Sequence, residues 1–184
     1  MSVLLRFHTV SDTDISEILD EPIKMEILHY GEILDPSSLD DLDEDAKDNI
    51  IKWTPKIKSD ILYVEGMFQS LHYLLNSEIE TNLGTFPLNF LNGKRIEVGE
   101  IGWGPVTFYN SDDVKAIATA LNEINLTELA NKYDADTFND KGIYPRGYTW
   151  TKDDVSSLIE KIREITTFIS ETKNKNLGLY RVFV

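Results

Sequence analysis

His72 lies in an apolar run with Leu71, Leu74 and Leu75. At about 100° per residue along a helix it falls on the shoulder of the apolar stripe. An imidazole there can serve as a general base or a ligand. It can equally be a hydrogen-bonded core histidine, and with no nucleophile or carboxylate paired to it by spacing the core reading is favoured. His8 and His29 stand far from it in the chain, with neither HxxxH nor HExxH spacing, so no histidine metal site is expected. Asp41, Asp43 and Asp45 copy the first ligand positions of a calcium loop. The match ends at Ala46, where the turn needs glycine, and at Lys52, where a bidentate glutamate is needed. A solvated acidic face or docking patch is the better reading.

Gly99, Gly102 and Gly104 flank Trp103 but do not make a GxGxxG pattern, and no GK[ST] follows. Pro105 and a strand come next rather than a helix N-terminus able to hold an anion. Tight turns with Trp103 packed over them are expected. Tyr144, Arg146, Tyr148 and Trp150 fall within one loop stiffened by Pro145. Such residues dominate binding hot spots. They either face a partner or pocket, or form a satellite cluster that anchors the loop to the long helix that follows. No nucleophile elbow, SxxK, kinase loop or Walker motif is present.

These residues need elements to hold them. Residues 3–10 read as a strand stopped by Ser11 and Asp12, which open an acidic helix with Ile15, Ile18 and Leu19 on one face. Pro22 fits the first turn of a second short helix. Half of residues 35–48 are acidic, and this stretch is expected to be mobile or weakly held. Residues 62–75 are expected to form one helix, with Val64, Met67, Phe68, Leu71, Leu74 and Leu75 on a face and apolar coverage nearly all round, hence a central element. Residues 76–104 read as loop and 106–109 as a strand. A helix capped at Ser111 carries Val114, Ile117, Ala118, Leu121 and Ile124. A short helix capped by Thr127 follows, then a loop over 140–150. The longest helix runs from Thr151 to about Lys173, and residues 179–184 form a last strand. Strands at both ends without regular βαβ alternation point to an α+β fold. We expect a single compact domain over residues 1–184, with a small mixed or antiparallel sheet that pairs the two terminal strands and is packed with several helices.

The chain has 184 residues, a net charge of −14, 41% hydrophobic residues and no cysteine. Absent cysteine excludes a disulfide scaffold, a thiol nucleophile and a cysteine-ligated metal. The acidic balance argues against nucleic-acid binding, which uses a basic stripe to release counterions. No apolar run approaches the length of a membrane span. Arg6 and His8 interrupt the opening Val3, Leu4 and Leu5, so no signal peptide is expected and the cytoplasm is inferred. No cofactor is expected.

Four stretches carry a family resemblance. They are the opening strand with its acidic helix, the central Gly66 to Leu75 segment ending in His72, Tyr73, Leu74 and Leu75, the Gly102-Trp103-Gly104-Pro105 strand entry before Ser111, Asp112 and Asp113, and the Ile143-Tyr144-Pro145 loop followed by Trp150. In this order they resemble the YfbM-like family of small bacterial proteins, classed as a domain of unknown function. Phe68 stands where that family's helix carries tryptophan, and Thr107 replaces a polar step that could hold an arginine. The resemblance implies an α+β fold and no activity.

On charge and loop chemistry the first expectation is a non-catalytic soluble binding protein. Its acidic surface and aromatic loop would engage a basic protein partner, as an immunity or antitoxin-like protein does. The alternative is a small-ligand binder or enzyme with a pocket near His72, Trp103, Tyr144 and Arg146. There His72 would move a proton, Arg146 would hold an anionic group and the aromatics would stack.

Overall fold

The structure is a computed structural model that describes residues 4–80, 82–90, 94–95, 101–102 and 104–184. Strand β1 (Leu5–Val10) leads to helices α1 (Asp12–Asp20) and α2 (Lys24–Tyr30), a 3-10 turn (Pro36–Leu39) and α3 (Glu44–Ile51). Then come β2 (Ile61–Val64), α4 (Phe68–Asn76), β3 (Lys94–Arg95) and β4 (Thr107–Tyr109). Four helices follow, α5 (Ser111–Glu123), α6 (Leu126–Lys132), α7 (Ala135–Asp140) and α8 (Asp154–Asn174), before the last strand β5 (Gly178–Phe183).

The strands form one sheet in the order β2-β1-β5-β4-β3, with every neighbouring pair antiparallel. The two terminal strands do pair side by side, Leu5 opposite Phe183 through Val10 opposite Gly178. The expected α+β class and the terminal-strand pairing are thus both present.

Helices cover the sheet on both faces. Side chains alternate across a strand, so Leu5, Phe7 and Leu179 point to one face and Val10, Tyr180 and Val182 to the other. The first set joins Val114, Ile117, Leu121, Leu158, Ile162 and Ile169 in a larger core beneath α5 and α8. The second joins Ile18, Met25, Leu39, Trp53 and Phe108 in a smaller core beneath α1, α2 and α3. Burial on both faces explains why β5 is almost continuously apolar. Each fully buried Leu or Ile contributes about 1.5–3 kcal/mol, so both cores hold the sheet. At Gly178 a Cβ would stand 2.5 Å from the Tyr109 carbonyl oxygen, so only glycine lets β5 start beside β4.

Four local expectations are corrected. Residues 62–75 are not one helix: Ile61 and Tyr63 are exposed while Leu62 and Val64 are buried, the period of a strand. An unbroken apolar run hid that period, and Gly66 separates it from α4. From Phe68 to Asn76 no residue is exposed, so the helical half does occupy a covered position. Residues 35–48 are structured, because their acids act as caps: Asp35 accepts from the Ser37 amide and Asp43 from the Ala46 amide. The caps of α5 and α6 are Asn110 and Asn125 rather than Ser111 and Thr127. Finally, α7 lies in a segment whose sequence suggested no helix; Asp134 caps it.

Candidate functional site

Antiparallel register sets His8 of β1 directly opposite Tyr180 of β5, on the face of the smaller core. Directly opposed side chains on one face touch. Their rings stack with centroids 4.4 Å apart and planes inclined by 15°. His29, in the last turn of α2, meets His8 edge-on at 5.4 Å. Its Nδ1 lies 3.4 Å from the Tyr180 hydroxyl. Arg6, two residues before His8 on the same strand face, lays its guanidinium over the Tyr63 ring at 5.2 Å.

His8, His29 and Tyr180 together line one part of a cavity of about 680 Å³. The sheet face forms its floor. Ile27 and His29 of α2 line one wall, Leu39 and Ile51 a second, and Trp53 with the residues after it a third. Ile51 and Ile61 line it and are both exposed, at 61% and 42%. The third wall is pinned in place. Both carboxylate oxygens of the fully buried Asp14 accept from the Lys56 amide, at 3.2 and 3.1 Å. The Trp53 indole donates to Glu17 of α1. Ser59 donates to the Thr9 carbonyl at 2.7 Å, and the Asp60 amide to the Thr9 hydroxyl at 2.8 Å. The cavity is therefore a product of tertiary hydrogen bonds, and its size falls within the range of small-molecule sites.

Burial decides the electrostatics. It pulls the His8 imidazole down to about 3, with His29 and Arg6 adding to the effect. Burial, then Arg6, lowers His29 as well. Burial pushes the Tyr180 phenol up, against the opposing pull of Arg6. Near neutral pH the end of the cavity thus presents two uncharged imidazoles and a protonated phenol. A neutral imidazole offers one donor and one acceptor. His8 is only 5% exposed, and among the described residues its Nε2 has no hydrogen-bond partner. An imidazole that charges only near pH 3 makes a poor general base at neutral pH, so the chemistry on offer is hydrogen bonding and stacking. Among the described residues, no group of three or more His, Asp or Glu side chains could hold a metal ion.

The residues singled out from sequence lie elsewhere. His72 is 1% exposed in α4 and lies 3.3 Å from the Asn76 side-chain amide; burial lowers its pKa. Tyr144 is half-buried against Phe68, and its amide donates to Gln69 Oε1 at 2.7 Å. Trp150 is 5% exposed and donates from its indole to the Ile143 carbonyl at 3.0 Å; the Asn139 side chain donates to its carbonyl and accepts from its amide. Arg146 and Tyr148 are exposed, and the Tyr148 hydroxyl donates to Asp154 at 2.6 Å. Trp103 lies outside the described residues. The structure therefore ties the loop to α4, α7 and α8, while His72 does not line the cavity. His8, His29 and Tyr180 were missed as a group. The one signal in the sequence was a histidine and an arginine alternating inside an otherwise apolar strand.

Among curated proteins none matches the chain significantly. Its fold is similar to that of YfbM from Escherichia coli, a protein of unknown function, with a TM-score of 0.65 and 15% identity over 98% of this chain and 99% of that one. Residues 1–180 match the family described as Domain of unknown function (DUF1877). The four resembling stretches all lie within that match, and the chain belongs to the DUF1877 family.

Proposed function

We propose that the protein is a small-molecule binding protein whose site is the cavity closed by His8, His29 and Tyr180. One observation carries this reading: a largely apolar cavity of about 680 Å³ is lined at one place by a cluster of uncharged polar rings, His8, His29 and Tyr180. A concave apolar body with a few convergent polar groups is the usual form of a ligand site. The depressed His8 favours binding over proton-transfer catalysis. This keeps the small-ligand alternative drawn from the sequence and moves it to the opposite face of the sheet. The basic-partner reading draws less support, since of the four loop residues Trp150 is buried and Tyr144 half-buried, leaving Arg146 and Tyr148 as exposed anchors. A cytoplasmic setting, inferred from sequence, accompanies the proposal.

The test is ligand titration followed by nuclear magnetic resonance. Indole and other small apolar fragments should shift the Trp53 indole and His29 ring signals and leave the Trp150 indole unmoved. Filling the cavity with Ile57→Trp should abolish the response. A fragment set that leaves Trp53 and His29 unperturbed would overturn the proposal.

A further inference from the structure

The cavity has an electrical direction that the net charge of the molecule conceals. The chain carries 32 acids against 18 bases. Yet beside the polar rings, two residues before His8 on the same strand face, stands the Arg6 guanidinium, and among the described residues it makes no salt bridge. Its charge is felt by all three rings. Among the described residues, the charged groups that line the cavity itself are Glu32 and Lys58, one of each sign and both exposed. Glu26, on α2 with His29, is engaged by the Leu34 amide at 2.7 Å. Glu17 is taken up by Trp53 and by Lys56 at 3.7 Å. The positive charge of Arg6 therefore acts on the same rings that offer hydrogen bonds. The remaining walls are apolar, built from Ile27, Leu39, Ile51, Trp53 and Ile57.

We infer that the cavity takes an amphipathic monoanion, a carboxylic acid with an aliphatic or aryl body. The body lies along the isoleucines and Trp53. The carboxylate lies at the His29 and Tyr180 end, where their hydrogen bonds and the field of Arg6 meet it. An attractive charge in a poorly hydrated site acts at several ångströms without contact, so Arg6 needs only to lie behind the rings. Hydrogen bonds to a charged acceptor are about twice as strong as neutral ones, which separates an acid from an alcohol of equal length. The inference rests on the reading of the cavity as a small-molecule site.

Matched probes decide it in the full-length protein. Octanoate, octan-1-ol, octylamine and acetate are titrated by calorimetry, with the Trp53 and His29 signals as a second readout. Octanoate is expected to bind at least about tenfold tighter than octan-1-ol, a difference near 1.4 kcal/mol. Octylamine and acetate should bind more weakly still. The preference for octanoate should shrink severalfold in Arg6→Gln, with folding checked by circular dichroism. Equal binding of octanoate and octan-1-ol, or tighter binding of octylamine, overturns the ligand class and leaves the cavity reading standing. Acetate matching octanoate overturns the amphipathic part. A full preference for octanoate in a folded Arg6→Gln protein overturns the role of Arg6. Failure of all four probes, with Trp53 and His29 unmoved, overturns the cavity reading itself. If Arg6→Gln does not fold, Arg6→Met, which also removes the charge, replaces it, and the four-probe comparison in the native protein still decides the ligand class.

Discussion

His8 shows how a single side chain records the fold around it. On its own it is a titrating surface base; stacked on Tyr180 and covered by α2, it is held neutral to about pH 3. His29 is depressed in the same direction. A histidine whose folded pKa lies below its unfolded value near 6.5 takes up its proton more readily in the unfolded chain. Stability is then full above about pH 6.5 and is lost as the pH falls toward the folded values. Each such histidine adds up to about 1.4 kcal/mol per pH unit to that loss. His8→Phe keeps a ring on Tyr180 and removes the proton site. Urea denaturation at about pH 7.5 and about pH 5 should show a smaller loss for His8→Phe than for the native protein. An identical loss would mean that His8 is solvated in the fold.

Among the elements, the helices show where sequence patterning succeeds and where it slips by a residue or two. The stripe of Val114, Ile117, Ala118 and Leu121 is legible because α5 packs one face on the sheet and α8. Its cap is less legible, since Asn110, Ser111 and Asp112 are all competent capping residues. The choice fell on Asn110 because a full capping box forms with Asp113. In α6 the same competition was resolved toward Asn125, whose side chain accepts from the Thr127 and Glu128 amides. Asn125→Ala should therefore cost about 1 kcal/mol, and Thr127→Ala, at an exposed position inside the helix, less than about 0.5 kcal/mol. Thermal or urea melts of the two variants check the assignment; the reverse order would return the cap to Thr127.

Across the whole molecule, β5 is the element on which everything else depends. It pairs with β1 on one side and β4 on the other, and its side chains enter both cores. Ending the chain after Asn176 would leave two strand edges unpaired and open both hydrophobic layers to water. Such a truncated chain should lose its cooperative melt and its dispersed amide spectrum. A truncated protein that still melted cooperatively would refute the central place of β5. The same strand supplies Tyr180, so loss of the fold and loss of the cavity should coincide.

By itself the sequence determined the α+β class, the pairing of the two ends, the long helix α8 and the apolar stripe of α5. All of these follow from local periodicity and from the order of elements along the chain. It also carried the family resemblance, in short motifs that stand in a fixed order along the chain. Only the tertiary structure decided that residues 61–64 form a strand, since an edge strand of four apolar residues has no visible period until one face is covered. Only the tertiary structure decided the site. His8, His29 and Tyr180 are up to 172 positions apart in the chain, and they meet because strand register and the packing of α2 bring them together. No spacing rule spans that separation. Packing drew Tyr144 and Trp150 inward and left Tyr148 exposed, while His8, His29 and Tyr180 on the other face of the sheet line an open cavity.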